Sequence, residues 1–215
     1  MLNSVSKNGA ILCGFAIVTT AAIVLTYQGT KEKIAQQRLS LLQATLQQVM
    51  PKHYHDNDLT QTCALVQHED LAKSGMQRIY RAELGGKPTG FVLETTAPNG
   101  YSGNIHMLVG VTLEGTVTGV RVLDHKETPG LGDKIDLRIS DWILSFAGKQ
   151  VSDETVSQWG VKKDGGQFDQ FTGATITPRA VVNQVEKAAL SALGNSQEWL
   201  NLPVDCADTE GVSDE

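Results

Sequence analysis

Arg78-Ile-Tyr-Arg-Ala-Glu-Leu-Gly-Gly-Lys-Pro-Thr-Gly-Phe-Val-Leu-Glu-Thr-Thr96 decides the fold. Arg78 to Leu84 and Gly90 to Thr96 are runs of apolar and β-branched residues, and Gly85-Gly86-Lys87-Pro88 between them has turn composition. The stretch predicts a β-hairpin. Asn104 to Leu113, the turn Glu114-Gly115 and Thr116 to Leu123 repeat the pattern and predict a second hairpin. Asp136 to Ala147 reads as a helix with Leu137, Trp142, Ile143 and Phe146 available for packing and Asp133 lending charge near its start. The last helix is the most clearly marked. Thr177 reads as its N-cap and Pro178 as its first residue, where a missing N–H costs nothing. Val181, Val182, Val185, Ala188, Ala189, Ala192 and Leu193 form an apolar stripe, and Gly194 stops it. The fold class is α+β: antiparallel β hairpins packed against helices.

Ahead of this domain, Gly9 to Thr30 carries no charged residue, and Lys7 and Lys31 bracket it. That run spans a hydrocarbon core of roughly 30 Å at 1.5 Å per residue, with Tyr27 placed as an interfacial aromatic. A cleaved signal peptide has a shorter apolar region, about 7–15 residues, ending at a small-residue site. Here a helical pattern resumes directly afterwards, which favours an uncleaved transmembrane helix. Ile34, Leu41, Leu42, Thr45, Leu46 and Val49 make one stripe of a stalk helix that Pro51 ends. The organisation is therefore a short tail at 1–8, a transmembrane helix at 9–30, a stalk at 31–51, a globular domain at 52–203 and an acidic tail at 204–215. Lys52 to Thr62 is polar and reads as a hinge. Basic residues lie on both sides of the span, so charge alone does not orient it.

Composition narrows the function. The chain has 215 residues, 40% of them hydrophobic, and a net charge of −6, with no Lys/Arg cluster, so no nucleic acid is expected as a partner. Of the three cysteines, Cys13 lies in the apolar run, and Cys63 and Cys206 lie far apart. No metal-ligand spacing is present, and no metal is expected. In an oxidising compartment Cys63 and Cys206 could form one disulfide; two unrelated thiols is the other reading.

The chemistry concentrates in Asp164-Gly-Gly-Gln-Phe-Asp-Gln-Phe-Thr-Gly-Ala-Thr-Ile-Thr-Pro178. Thr172, Thr175 and Thr177 crowd a loop whose Gly173 and Ala174 allow close backbone approach, just before a helix N-terminus that favours a phosphate. Thr177 is taken up by capping and Thr172 is farther from the helix, so Thr175 is the hydroxyl left to carry a phosphoryl group. An ordinary turn leading into a helix cap fits the same residues. No Rossmann glycine fingerprint or nucleophile–base motif is present, and no catalytic residue is expected.

Thr172-Gly-Ala-Thr-Ile-Thr177 resembles the attachment motif of the covalent FMN-binding domain family. That domain is found in the G component of the Rnf/Rsx electron-transport complex and in the C component of the sodium-pumping NADH:quinone reductase. Ile176 is the departure from the motif. Ala97-Pro-Asn-Gly-Tyr-Ser-Gly103, His125-Lys-Glu-Thr-Pro-Gly-Leu-Gly-Asp133, Ser140-Asp-Trp142 and Val161-Lys-Lys-Asp-Gly-Gly166 extend the likeness over nearly the whole chain and favour the Rnf/Rsx form over the sodium-pump form. The resemblance implies FMN joined through its phosphate to Thr175. It also implies that the Glu127–Gly132 loop covers the flavin. Pro129 and Gly130 there have the sequence of a type II turn. Thr128, Gly130 and Leu131, with Tyr101, Ser102 and Gly103, become candidate flavin contacts, and Lys162 or Lys163 a candidate partner for the phosphodiester. His125 reads as structural, and Glu127, a candidate in the same loop, as a polar loop residue rather than a base.

The same resemblance implies an electron-carrying component of an ion-translocating oxidoreductase, with no substrate turnover of its own. Its partners would be the other Rnf/Rsx components (A, B, C, D and E), and a flavin transferase using FAD and a divalent metal would mature it. The place implied is the bacterial inner membrane, crossed once, with the main domain in the periplasm, where a Cys63–Cys206 disulfide would form. A non-redox, membrane-anchored protein for ligand binding or assembly is the alternative.

Overall fold

The computed structural model describes residues 2–206. The chain divides between Leu42 and Gln43 into two compact units. Helix α1 runs unbroken over Leu2–Val49. Many of its apolar side chains are exposed, Leu12 and Leu25 each to 70%. Several hydroxyls bond within the helix, Thr19 to the Phe15 carbonyl at 2.9 Å and Thr26 to the Ala22 carbonyl at 2.8 Å. By length and composition this helix can cross a membrane.

The second unit is built on six antiparallel strands in sequence order: β1 (Cys63–Val66), β2 (Gln77–Leu84), β3 (Lys87–Gly100), β4 (Gly103–Thr112), β5 (Thr116–Asp124) and β6 (Lys149–Gln150). Both predicted hairpins are present, as β2–β3 and β4–β5. They are joined into one meander because β3 runs on through Ala97 and turns tightly at Tyr101–Ser102 into β4. Alternation sorts the strands: Ile105, Met107, Val109 and Val111 of β4 face the core, as do Phe91 and Leu93 of β3. Against them packs α2 (Ile176–Gly194) through Val181, Val182, Val185, Ala188, Ala189 and Ala192. Each large side chain so buried contributes roughly 1.5–3 kcal/mol. Gln184, buried among them, donates to the Asp70 carbonyl at 2.6 Å and to Thr95 Oγ1 at 2.7 Å. A short α3 (Ser196–Leu200) follows, with Trp199 set edge-on to Phe91.

The other sheet face receives the last turn of α1. Gly110 and Gly119 are cross-strand partners there, and Val49 sits on the pair. A Cβ at Gly110 would lie 2.6 Å from the Val49 carbonyl oxygen, and one at Gly119 2.9 Å from it. Thr118 Oγ1 donates to that carbonyl at 2.6 Å, and Arg121 Nε to Gln48 Oε1 at 3.0 Å. The Thr118 bond satisfies a carbonyl that the helix end leaves open.

One expectation is corrected. Asp136 to Ala147 is not an α-helix. The Asp136 carboxylate takes the Arg138 backbone N–H, and Ser140 caps a separate 3-10 helix at Asp141–Phe146, so local side-chain bonds break the segment into short turns. In residues 52–62 His55 and Leu59 are buried, and Asn57 Nδ2 donates to the Arg81 carbonyl. The end of the chain is tied down as far as Cys206, which is disulfide-bonded to Cys63 with Cα atoms 5.6 Å apart, while Arg81 Nη1 holds the carbonyls of Leu200 and Leu202. The rest of the expected acidic tail, 207–215, lies outside the described residues.

Candidate functional site

Glu127 is the joint on which the site is assembled. It follows β5 and is buried; its backbone N–H donates to His125 Nδ1 at 3.1 Å, which gives His125 a structural role. Its Oε1 accepts the Ser102 backbone N–H at 2.9 Å, and its Oε2 accepts the hydroxyl of Thr177. Two glycines make room. A Cβ at Gly100 would stand 2.8 Å from Oε1, and one at Gly132 2.9 Å from Oε2. One carboxylate therefore brings together the Tyr101–Gly103 turn, the Glu127–Gly132 loop and the Thr172–Thr177 loop, far apart in sequence. Both oxygens of Glu127 are engaged in this joint.

In the loop after Glu127, the Leu131 N–H donates to the Thr128 carbonyl at 3.1 Å and Gly130 has φ +78°, the type II turn that Pro129-Gly130 predicts. Leu131 Cδ2 lies 3.8 Å from where a Cβ on Gly173 would be, so the two loops touch. Gly173 has φ +83° in a turn closed by the Ala174 N–H on the Phe171 carbonyl, a conformation costly for any residue with a Cβ.

The helix start differs from the sequence reading. Thr175 occupies the N-cap position and α2 begins at Ile176, so Thr177 and Pro178 lie inside the first turn. The reason is Glu127: its buried carboxylate draws the Thr177 hydroxyl away from the helix end, and Thr177 caps nothing. Thr175 makes no side-chain cap bond either. Among the described residues no acceptor takes the N–H groups of Thr175, Ile176 or Thr177, and none bonds the Thr175 hydroxyl. An uncapped N-terminus with several free donors beside a free hydroxyl is the arrangement a phosphate ester needs. Thr172 Oγ1 is also unbonded but is exposed on the turn before the helix.

The charged groups are arranged differently from expectation. Lys162 and Lys163 stand on a 3-10 turn at Lys162–Asp164, both exposed, and Lys162 Nζ is 2.5 Å from Asp169. The cation on the first turn of α2 is Arg179, whose N–H donates to the Thr175 carbonyl at 3.3 Å. Its guanidinium is held side-on by Asp164, Nε to Oδ2 at 2.6 Å and Nη2 to Oδ1 at 2.9 Å, and this holds the Asp164 carboxyl below the usual carboxylate range. Sequence reasoning passed over Arg179; its signal was its position four residues after Thr175, one helical turn away. Around the loop, Tyr101, Leu131 and Ile176 expose apolar surface, with Tyr101 69% accessible. A phosphate at Thr175 and a planar apolar ring against these side chains both fit the residues present.

Residues 100–190 match the FMN-binding domain family, and residues 1–49 match the RnfG N-terminal region. The chain is 50% identical over 206 residues to the G component of the ion-translocating oxidoreductase complex of Vibrio atlanticus, covering 96% of this chain and 99% of that one. It is 52% identical over 207 residues to the G component of Pseudoalteromonas atlantica, covering 96% of each. It is likewise 52% identical over 206 residues to that of Vibrio cholerae, covering 96% of this chain and 99% of the relative. Identity at that level over nearly the full length, on a fold that gathers the motif loops at one helix end, places the chain in the RnfG family, the G components of ion-translocating oxidoreductase complexes, with an FMN-binding domain.

Proposed function

We propose that the chain is a membrane-anchored flavoprotein that carries FMN esterified through its phosphate to Thr175 and relays electrons between its neighbours in an ion-translocating oxidoreductase complex. One observation carries the assignment of the residue: Thr175 alone of the motif threonines combines an unengaged hydroxyl with a place at the uncapped start of α2. Thr177 is bound to Glu127, and Thr172 stands on the turn before the helix. Bound FMN supplies the redox chemistry. The chain supplies position. The free N–H groups at Thr175–Thr177 and the partial positive charge of the helix end meet the phosphodiester. Tyr101 and Leu131, with the backbone at Ser102, Gly103, Thr128 and Gly130, border the ring, and the Glu127 joint fixes both loops relative to the threonine.

Loading forms a bond between Thr175 Oγ and the FMN phosphorus of FAD as the pyrophosphate bond breaks. AMP leaves, the hydroxyl proton passes to the solvent or the transferase, and a divalent metal is held by the transferase. Residues 9–30 serve as the inner-membrane span and 31–51 as the stalk, with 52–203 in the periplasm. There a covalent cofactor is not lost by dilution, whereas a reversible one would depend on free FMN. The other Rnf/Rsx components, A to E, are the partners across which electrons pass.

The experiment is direct. The full-length chain is produced with and without a flavin transferase, denatured, and run on a gel. Fluorescence that stays with the denatured band, and is absent for Thr175→Ala, is the expected result. A dark band from transferase-competent cells would remove the proposal.

A further inference from the structure

We propose that Arg179, held by Asp164, is the positioning cation for the threonyl phosphodiester; this rests on the reading that FMN is esterified to Thr175. Thr175 and Arg179 are four residues apart, and the Arg179 N–H on the Thr175 carbonyl closes the turn between them. Side chains at that spacing are neighbours on one helix face, with Cβ atoms about 5–6 Å apart. Asp164 grips one edge of the guanidinium, through Nε and Nη2. The other edge, Nη1 with the second hydrogen of Nη2, has no partner among the described residues. It is the planar fork suited to two oxygens of one phosphate. The Arg179 side chain is 40% accessible, so its unpaired edge is not closed off by packing.

The charges are consistent with this arrangement. A phosphodiester and Asp164 each bring one negative charge, and Arg179 stands between them with the helix end contributing about half a positive charge. Lys162, by contrast, is paired with Asp169. Asp164 thus has a defined part: an exposed arginine on a flexible stem loses its preference for one orientation unless something holds it.

The test uses the full-length chain in detergent, loaded by the transferase, with two readouts. The first is the initial rate of covalent flavin incorporation at limiting transferase, expected to fall about tenfold in R179Q and less in R179K, which keeps the charge but loses the fork. The second is the ³¹P resonance of the loaded protein. It is expected to move in R179Q and in R179K, to move in D164N as the arginine loses its holder, and to stay in place in K52Q, which removes an exposed lysine that follows α1. A ³¹P resonance in R179Q identical to wild type overturns the proposal. If R179Q does not fold, R179K and D164N decide: unmoved resonances in both overturn it. Wild-type protein with no phosphorus signal after denaturation and dialysis would instead defeat the flavin ester itself.

Discussion

Thr177 Oγ1 donates a hydrogen bond to Glu127 Oε2, and both residues are buried. The bond spans fifty positions of sequence and joins the start of α2 to the loop after β5. Thr177→Val keeps the shape but leaves a buried carboxylate with only the Ser102 N–H. We expect a loss of about 1–3 kcal/mol in urea unfolding, with flavin still attached at residue 175. Flavin lost from this variant while its stability is unchanged would reassign the acceptor to Thr177.

Gly173 holds φ +83° in the turn that presents Thr175. Gly173→Ala is expected to cost about 1–2 kcal/mol and to slow flavin loading several-fold, because the turn must distort before the hydroxyl is presented. Gly165, also at positive φ, serves as the comparison: Gly165→Ala should cost a similar amount of stability with a smaller effect on loading. Equal loading defects in the two variants would count against a specific part for the 173 turn.

The glycine pair under Val49 predicts a graded response. A Cβ at Gly110 meets Thr118 Oγ1 at 2.3 Å and the Val49 carbonyl at 2.6 Å, whereas one at Gly119 meets nothing closer than 2.9 Å. Gly110→Ala should therefore destabilise the sheet unit by about 1–3 kcal/mol, and Gly119→Ala by less, in denaturant midpoints measured on detergent-solubilised protein. The reverse order would mean that the end of α1 is not seated as described.

The Cys63–Cys206 disulfide closes a loop of 143 residues. Chain entropy over such a loop is worth on the order of 5 kcal/mol, and measured losses on removing a native disulfide are about 2–5 kcal/mol. Cys63→Ala with Cys206→Ala should lower stability within that range and expose Trp199, which α3 carries just before the strap. Free thiols at both positions in unreduced wild-type protein would rule the linkage out.

Acid and neutral stability should respond to two carboxylates with opposite sign. Burial raises the Glu94 carboxyl above the usual range, more than Arg78 and Tyr80 lower it. Its stabilising contribution is complete below the unfolded value of about 4.3 and is lost as pH rises through the folded value. Asp136 is held low by its bonds to Arg138, so its contribution is present above about 3.9 and is lost as pH falls through the folded value. Glu94→Gln should remove a decline in stability above about pH 4, and Asp136→Asn should remove one in acid. Urea midpoints across pH that run parallel for wild type and both variants would contradict this.

The hairpins and α2 are legible in sequence because each carries its own periodicity and its own turn or stop residues. So is the Pro129-Gly130 turn, whose backbone the residue types dictate. β1 and β6 are not. Four residues and two residues carry no period, and they are strands only because β2 and β5 offer them an edge. The Asp136–Ala147 segment misled for a related reason: its apolar spacing suits a helix, but Asp136 and Ser140 take backbone N–H groups locally and stop one from propagating.

Sequence by itself determined the α+β class, the apolar N-terminal helix and the threonine loop, because periodicity, hydropathy and motif spacing are local properties. Only the tertiary structure decided which hydroxyls and charges are already engaged by other groups. A buried carboxylate must find partners wherever the fold brings them, and Glu127 found Thr177 and the Ser102 N–H. That pairing took Thr177 from the cap and left the helix end uncapped beside Thr175. The ion pair between Asp164 and Arg179 likewise depends on two segments meeting in space, which no spacing along the chain encodes.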